Sequence, residues 1–367
     1  SEQGYDLVYV ITFSMVDPLS DVAARYPDQK YILVDGTMAY EGGQFGNVYS
    51  VLFKQNEGSY LAGMLAAGLV RDGTIPAEKG TTLGFLGGMD IPVINDFLVG
   101  YIEGARSVSP DVKIAVSYAN SFGDSAKGKE LALAQYRAGT AIGFTAAGTA
   151  GLGQFAAAKE ADKLAIGVNS DEEAAIRPND PVMADKIVSS MLKRVDVSVL
   201  RAYELALEGK LPFGQAEVLG IAEGTIGLAD TDNLAKIASP ELKQDIEAAE
   251  ADIVAGKITV GSAFGMDAAA LAAKTAQLKV GDGFAEGVVI GPLVDDRAVL
   301  KVEEHVADAV AHGAVVAVGG HRLAAGDGHA DRFYAPTVIS GIRPGMKIMI
   351  EETFGPVAPV IRFETEE

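Results

Sequence analysis

The sequence TTLGFLGGMDIPVINDFLVGYIEGARSVSPDVKIAVSYA at residues 81–119 contains the unit that decides the fold. Its first apolar run, at 81–88, predicts a buried strand, and IPVINDFLVGYIEGARSV at 91–108 predicts a helix. VKIAVSYA at 112–119 predicts a second strand. A strand, a helix and a strand in this order indicate two parallel strands joined by a helix that packs on the sheet.

The same alternation continues on both sides of this unit, across the first 260 residues. Short apolar runs predict further strands at 6–13, 30–36, 47–53, 141–148 and 164–170. Helical periodicity predicts helices at 57–71, 126–138, 151–160, 190–208 and 239–256. We expect one or two more strands between residues 208 and 228. These patterns together predict an α/β fold in which helices cover both faces of a parallel sheet.

Composition excludes several classes of function. The chain has 367 residues, which corresponds to two or three domains of about 100–200 residues. Its formal net charge of −20 argues against a nucleic-acid partner and against docking on an anionic membrane, because both need clustered Lys and Arg. The sequence contains no cysteine, which excludes a disulfide framework, a thiolate metal site and a cysteine nucleophile within it.

Small and acidic residues gather where the predicted strands end. In open parallel sheets, ligands bind at the carboxyl ends of the strands, so this pattern indicates a cleft for a polar, hydroxyl-bearing ligand. The alternative for each residue is that Asp and Gly only end strands and cap helices. The candidates are Phe13, Asp17, Asp35, Met89, Asp90, Gly148, Asn169 and Asp171.

The run GTAGLG at 148–153 follows a predicted strand and opens a predicted helix. Such a position is compatible with a phosphate or dinucleotide nest. However, the glycine order is GxxGxG rather than GxGxxG, and no Lys-Ser/Thr pair follows. We therefore favour a ligand loop of another kind.

Residue usage changes near residue 260, as shown by the four histidines, which all lie beyond it. This part predicts helices at 266–277 and 299–313 and strands at 314–320 and 333–339. His305 and His312 are seven residues apart on one predicted helix, too far for a shared metal ion, so a solvated helix face is the favoured interpretation.

Seven segments of the first 260 residues carry a resemblance to a known family. They are GYDLVYV at 4–10, NEGSYLAGMLAA at 56–67, LGFLGGMDIPVINDF at 83–97, NSFGDSAKGKELALAQY at 120–136, AAGTAGLGQFAAAKE at 146–160, AIGVNSDE at 165–172 and SSMLKRVDVSV at 189–199. In this order and spacing they resemble the basic membrane protein family, the nucleoside-binding solute receptors of ABC transporters. The resemblance implies a type I periplasmic-binding-protein-like fold with two Rossmann-like lobes. Lobe one would comprise 1–77 and 195–260, and lobe two 78–194.

The resemblance also implies ligand-binding residues. Asp171, in GVNSD, matches a family acid expected near the ribose hydroxyls, and Lys193, in SMLKRVD, matches a lysine expected to donate to the same sugar. Gly148 matches a glycine whose small size lets the ligand approach the backbone. Asn169 stands where the family often has Asp. Weaker matches, expected against the base, are Phe13, Met89 and Asp90.

The family normally opens with a strand that ends in Ser-Phe-Asn, about forty residues before the GYDLV strand, and this sequence does not include it. We expect that lobe one without this strand exposes apolar strand edges and associates. The resemblance further implies an ABC transporter permease as partner and a periplasmic or cell-surface lipoprotein. The sequence as given contains no signal peptide.

The last hundred residues resemble a different family. LKVGDGFAEGVVIGPLVDDRAVLKVEEHVADAVAHGA at 278–314, FYAPTVI at 333–339 and EETFGPVAPVIRF at 351–363 are similar to NAD(P)-dependent aldehyde dehydrogenases, nearest to succinate-semialdehyde dehydrogenases. The resemblance implies that Glu352 held the nicotinamide ribose and that Phe354 lay near its ring. The acyl-enzyme mechanism needs a thiolate, so we expect a vestigial cofactor motif, no bound cofactor and no dehydrogenase activity from residues 264–367.

The main interpretation is therefore a non-enzymatic substrate-binding component of an ABC transporter that closes two lobes on a purine or related nucleoside. The alternatives are an aldehyde dehydrogenase fragment without its catalytic cysteine and a non-functional chimeric reading frame.

Overall fold

The computed structural model of the chain describes residues 4–76, 81–264, 272, 275–276, 278–282, 288–323 and 332–361. The chain divides into two compact units, Ser1–Phe264 and Gly265–Glu367. The boundary agrees with the change in residue usage near residue 260.

Strands and helices alternate along the first unit. Its strands are β1 (Leu7–Ile11), β2 (Lys30–Val34), β3 (Val48–Phe53), β4 (Thr82–Gly87), β5 (Lys113–Tyr118), β6 (Ile142–Ala146), β7 (Leu164–Asn169), β8 (Ile187–Lys193), β9 (Gln215–Leu219) and β10 (Ile226–Leu228). Its helices are α1 (Val16–Arg25), α2 (Gln55–Arg71), α3 (Pro92–Val108), α4 (Ser125–Arg137), α5 (Leu152–Ala161), α6 (Glu172–Ile176), α7 (Pro181–Ala184), α8 (Val195–Leu207), α9 (Asp232–Ile237) and α10 (Pro240–Val254).

These strands form two sheets, one in each lobe. The first has the order β1-β2-β3-β9 and is parallel throughout. The second has the order β10-β8-β7-β6-β4-β5 and is parallel except for β10, which runs antiparallel to β8. The two-lobe α/β fold with parallel sheets is therefore confirmed.

The predicted helix at 190–208 is wrong in its first part. Residues 187–193 form strand β8, which lies between β7 and β10, and the helix begins only at Val195. The first five residues of β8 are all buried between the neighbouring strands. Continuous burial of this kind is typical of a central strand in a parallel sheet, whereas a helix on the surface would bury only one face.

The sheets also place the division between the lobes differently from the predicted boundaries at 77 and 195. Helix α2 packs on the second sheet, since a Cβ at its Gly58 would meet Ile226 of β10 and Met191 of β8. Strand β10 belongs to the second sheet as well, although it falls within 195–260. The chain thus leaves the first lobe at the end of β3.

Helices α2 and α3 cross at backbone contact. A Cβ at Gly100 would overlap the carbonyl oxygen of Asn56, and a Cβ at Gly104 would overlap that of Tyr60. Helix α2 is buried along nearly its whole length, so it has no free face toward which it could move. Glycine on α3 is therefore a steric requirement of this packing.

The end of the first unit is fixed to the same two helices. Asp96 on α3 is fully buried and accepts hydrogen bonds from Ser262 Oγ at 2.5 Å and from the Ala263 N–H at 2.9 Å. Burial raises the pKa of the Asp96 carboxyl. Asn56 Nδ2 donates to the Gly261 carbonyl at 3.0 Å. These hydrogen bonds fix the last residues of the first unit, 261–263, to helices α2 and α3.

In the second unit, the helix Asp296–Ala311 agrees with the predicted helix at 299–313, and the strands Val315–Val318 and Thr337–Ser340 overlap those predicted at 314–320 and 333–339. The short helix Lys347–Ile350 and the strand Val357–Val360 were not predicted. The predicted helix at 266–277 lies mostly outside the described residues. The elements are α11 (Asp296–Ala311), β11 (Val315–Val318), β12 (Thr337–Ser340), α12 (Lys347–Ile350) and β13 (Val357–Val360). The three strands form one sheet in the order β11-β12-β13.

The prediction that both histidines of α11 lie on a solvated face is wrong for His305. Its side chain is 1% exposed, and Nδ1 lies 3.0 Å from Thr353 Oγ1. His305 falls in register with Val302 and Ala309 on the apolar face of the helix, whereas His312 is exposed. Among the described residues there is no cluster of His, Asp or Glu that could hold a metal ion.

No helix within the described part of the chain is both long enough and apolar enough to cross a lipid bilayer.

Replacing Gly100 by Ala should destabilise the first unit by about 3 kcal/mol or more, because α2 and α3 must separate to admit the methyl group. Gly46→Ala is the matched control, since a Cβ there meets open space. Chemical denaturation of both variants measures the difference. Equal stability of the two variants would show that the contact between α2 and α3 is looser than in the structure.

Candidate functional site

The cleft of the first unit lies where the carboxyl ends of the two sheets face each other. The chain passes between the lobes at 53–55, 193–195 and 219–226. Adjacent crossings are hydrogen-bonded: the Lys54 N–H donates to the Leu219 carbonyl at 2.8 Å, and the Arg194 N–H donates to the Thr225 carbonyl at 2.7 Å. Crossings joined in this way can act as a hinge for lobe closure.

An ion pair joins the lobes across the cleft. Lys193 Nζ, at the end of β8, donates to Asp35 Oδ2, at the end of β2, at 2.7 Å. The two side chains are only 8% and 15% exposed. The Lys193 ammonium also lies 5.6 Å from the ring centre of Phe53 and 5.7 Å from that of Phe97, so aromatic faces support the charge.

An aromatic contact joins the lobes at a second point. Phe13, just after β1, meets Phe122, just after β5, with ring centres 5.9 Å apart and an interplanar angle of 62°. Gly148 lies beside this pair: its φ is +56°, and a Cβ there would be 3.2 Å from the Phe122 carbonyl oxygen. The structure therefore brings Phe13 and Gly148 to the same part of the cleft.

Asn169 is the last residue of β7, and Asp171 follows it in the loop before α6. Asn169 pairs with Leu192 of β8, which places Asp171 and Lys193 at the same end of neighbouring strands. Asp171 Oδ1 accepts from the Ala174 N–H at 3.0 Å and so caps α6. The capping role that sequence alone left open is thus real, but it uses only one carboxylate oxygen.

Backbone strain accumulates at this edge of the two sheets. Asp35 and Asn169 have φ values of 66° and 70°, and Thr12 and Asn120 are also left-handed, with φ of 97° and 53°. Such conformations cost roughly 1–3 kcal/mol each and persist where the surroundings hold them. Their position at strand ends is typical of a ligand-binding edge.

Met89 and Asp90 follow β4 at the same edge, but the contacts of Asp90 stay within its own lobe. Asp90 Oδ1 accepts from Asn95 Nδ2 at 2.8 Å, and Asn95 Oδ1 accepts from the Tyr118 hydroxyl at 2.5 Å. Burial, together with the Asp90 charge, raises the pKa of Tyr118. Met89 is half-buried.

The glycine run at 148–153 is explained largely by packing. A Cβ at Gly151 would lie 2.9 Å from Thr145 Oγ1, and a Cβ at Gly153 would overlap the Ser125 carbonyl oxygen. These two glycines allow α5 to approach β6 and α4. The phosphate-nest alternative therefore has no support beyond Gly148.

In the second unit, both residues that the resemblance places at a cofactor site lie on the surface. Glu352 is exposed, and the Phe354 ring is 72% exposed with a φ of 45°. A nicotinamide needs an enclosing wall on both sides, which the described residues do not build around Phe354. The described residues alone therefore do not enclose a nicotinamide at Phe354.

Sequence reasoning did not identify the three phenylalanines Phe53, Phe97 and Phe122. Phe53 is the last residue of β3, and Phe122 lies shortly after the end of β5. Their positions near strand ends could therefore have marked both as candidates from the sequence. Phe97 lies inside α3 and reaches the Lys193 ammonium only through the tertiary packing of α3. No local pattern distinguishes it from a core residue.

Comparison with known proteins gives two matches along the chain. The family described as "ABC transporter substrate-binding protein PnrA-like" matches residues 1–263, and the aldehyde dehydrogenase family matches residues 263–367. A relative from Lactococcus lactis subsp. cremoris, named "ABC transporter nucleoside-binding protein BmpA", is 36% identical over 271 residues, which cover 71% of this chain and 72% of the relative.

A solved structure, an ABC transporter solute-binding protein from Aeropyrum pernix K1, superposes with a TM-score of 0.62 at 28% identity, covering 73% of this chain and 80% of that one. Mitochondrial succinate-semialdehyde dehydrogenase of Rattus norvegicus is 52% identical over 90 residues. These residues are 24% of this chain and span only 16% of the rat enzyme.

The Asp35–Lys193 pair should show strong energetic coupling. In a double-mutant cycle of Asp35→Asn and Lys193→Met, we expect a coupling free energy of about 1–3 kcal/mol, because each single variant leaves a shielded charge without its partner. The exposed pair Lys127–Glu130 is the control, with an expected coupling near 0.5 kcal/mol or less. Unfolding free energies measure both cycles. Equal coupling in the two would contradict a structural role for the cleft pair.

Proposed function

Because the chain belongs to the PnrA-like family of ABC transporter substrate-binding proteins, we propose that its first unit binds a purine or related nucleoside in the cleft between its lobes. The strongest support is the ion pair of Asp35 and Lys193 across the cleft, with Asp171 beyond the same end of the strand next to that of Lys193. A binding protein of this class would hand its ligand to an ABC permease, so we also propose an exported protein, periplasmic or held at the cell surface as a lipoprotein.

The cleft offers the chemistry that a sugar diol requires. The second oxygen of Asp171 can accept a hydrogen bond from a ribose hydroxyl, while the Lys193 ammonium can donate to a neighbouring one. On ligand entry, Lys193 would exchange part of its contact with Asp35 for the sugar. The part of the contact with Asp35 that remains keeps the ammonium compensated while the sugar binds.

The aromatic pair suits the base. Phe13 and Phe122 come from different lobes, so a planar ring inserted between them would be gripped from both sides as the lobes close. Gly148 leaves room for the ligand to approach the backbone. The Lactococcus relative is named for nucleoside binding, which supports this choice of ligand class.

We propose no catalytic and no cofactor role for the second unit. Acyl transfer in aldehyde dehydrogenases requires a thiolate nucleophile, and this sequence contains no cysteine. The exposed positions of Glu352 and Phe354 agree with a vestigial motif.

Calorimetric titration with adenosine, guanosine and inosine tests the nucleoside assignment, with NAD as the negative control. We expect a dissociation constant in the micromolar range or tighter for at least one nucleoside. Asp171→Asn should weaken it about tenfold or more, which corresponds to about 1.4 kcal/mol. Asn retains the helix cap, so this loss would report on the ligand and not on α6.

Asp180→Asn is the matched control, because Asp180 caps α7 through the Met183 N–H at 3.0 Å and lies before the amino end of β8. Its affinity for nucleoside should equal that of the parent chain. A folded sample that releases no heat with any nucleoside would reject the assignment and favour a non-functional chimera.

A further inference from the structure

We propose that Glu57 is a positioning residue for lobe closure, and that its carboxylate stabilises the conformation in which the cleft side chains of the two lobes meet. The inference rests on the proposed function, because it concerns the closing motion of the same cleft. Glu57 lies in the first turn of α2, the helix that packs on the second sheet. Its carboxylate contacts two of the three segments that cross between the lobes.

The two oxygens of this carboxylate contact different crossings. Oε2 accepts a hydrogen bond from the Ile221 N–H at 3.0 Å, within the crossing at 219–226. Oε1 lies 3.2 Å from Lys54 Nζ, in the crossing at 53–55. The Glu57 side chain is 13% exposed and that of Lys54 is 45% exposed, while Ile221 is buried. The hydrogen bond to Ile221 is therefore better shielded from water than the ion pair, and it contributes more to the contact.

The crossing that Glu57 holds contains a turn closed on itself. The Thr225 N–H and Oγ1 both donate to the Gly220 carbonyl, at 3.2 and 3.0 Å, and the Gly224 N–H donates to the Ile221 carbonyl at 2.9 Å. Strand β9 of the first sheet leads into this turn, and β10 of the second sheet follows it. Because its own hydrogen bonds keep the turn together, a rotation of the first lobe against the second changes the distance between Glu57 and Ile221.

The glycine at position 220 gives the carboxylate its place beside the turn. A Cβ at Gly220 would lie 2.4 Å from Glu57 Oε2 and 2.9 Å from Lys54 Cδ. The φ of Gly220 is not positive, so alanine can adopt the same backbone conformation. Gly220→Ala should therefore displace the Glu57 carboxylate without removing its charge, which separates the position of this group from its mere presence.

The structure also indicates which conformation the carboxylate favours. The ion pair across the cleft and the aromatic contact between the lobes are both formed, so the lobes are in contact while Glu57 holds the turn. Opening moves the first lobe, together with the strand that enters the turn, relative to α2. The hydrogen bond from Ile221 must then lengthen or break, so loss of Glu57 should raise the population of open lobes.

The chain offers a matched carboxylate outside the crossings. Glu103 on α3 accepts a hydrogen bond from the Gly261 N–H at 2.7 Å, and a Cβ at Gly261 would lie 2.5 Å from Glu103 Oε1. This contact is of the same kind, since a partly buried carboxylate accepts from the backbone and packs against a glycine. Its loss should lower the stability of the fold, as loss of Glu57 does, but it should leave the lobes as they are.

Distances between spin labels on the two lobes of the ligand-free chain test the proposal, with cysteines in place of the exposed Gln44 and Val182. Glu57→Ala and Gly220→Ala should both shift and broaden the distance distribution. Glu57→Gln should do so less, because its amide oxygen can still accept from the Ile221 N–H.

Glu103→Ala and Gly261→Ala are the controls and should leave the distribution as in the parent chain. A distribution that Glu57→Ala does not change, or that the control variants change equally, would overturn the proposal.

Nucleoside binding gives a second readout. In Glu57→Ala the dissociation constant should rise about fivefold or more, mainly through faster dissociation, because the proposed ligand contacts stay and only the closed population falls. Nucleoside affinity equal to that of the parent chain would contradict the positioning role. The label distances separate this inference from the nucleoside assignment: a shift caused by Glu57→Ala in a chain that binds no nucleoside would support the hinge role and reject the ligand.

Discussion

The ion pair between Asp35 and Lys193 is the interaction on which the geometry of the cleft depends. It joins the carboxyl end of β2 in one lobe to that of β8 in the other, and both side chains are largely shielded from water. A shielded ammonium requires a partner, since its desolvation costs several kcal/mol. A ligand that enters must therefore replace whatever part of the contact with Asp35 it displaces. This requirement favours a polar, hydroxyl-bearing molecule and disfavours an apolar one, which would leave Lys193 uncompensated.

The rest of the first unit keeps these strand ends in place while it permits lobe motion. The backbone contact between α2 and α3 makes the second lobe rigid next to a crossing, because Gly100 and Gly104 leave no space for adjustment. Glu57, in the first turn of α2, accepts a hydrogen bond from the Ile221 N–H at 3.0 Å and so couples that helix to another crossing. Residues 261–263 are fixed on the same helices through Asp96 and Asn56. Movement is therefore confined to the short segments between the sheets, where a few hydrogen bonds must adapt.

Most of the fold could be predicted from the sequence because its strands are short apolar runs and its helices have clear start signals. The helix predicted at 239–256 shows this: Ser239 caps α10, and Pro240 occupies its first turn. The sequence predicts a helix in place of β8 because the apolar residues of β8 continue directly into those of α8. Only the burial of β8 within the sheet distinguishes the strand from the helix that follows it. His305 was misjudged because its burial depends on which face of α11 meets the core. The strand ends predicted the position of the cleft, but the partner of Lys193 and the contribution of Phe97 depend on how two lobes meet, which local sequence does not encode.

The central claim is that the two lobes close on a nucleoside in this cleft. Spin labels at cysteines introduced in place of Gln44 and Val182, exposed positions in the first and second lobes, would report the distance between the lobes. The cysteine-free sequence makes both labels specific. The account predicts that a saturating nucleoside shifts and narrows the distance distribution, that NAD leaves it unchanged, and that Lys193→Met broadens it. A distribution that is identical with and without every nucleoside tested would contradict the account.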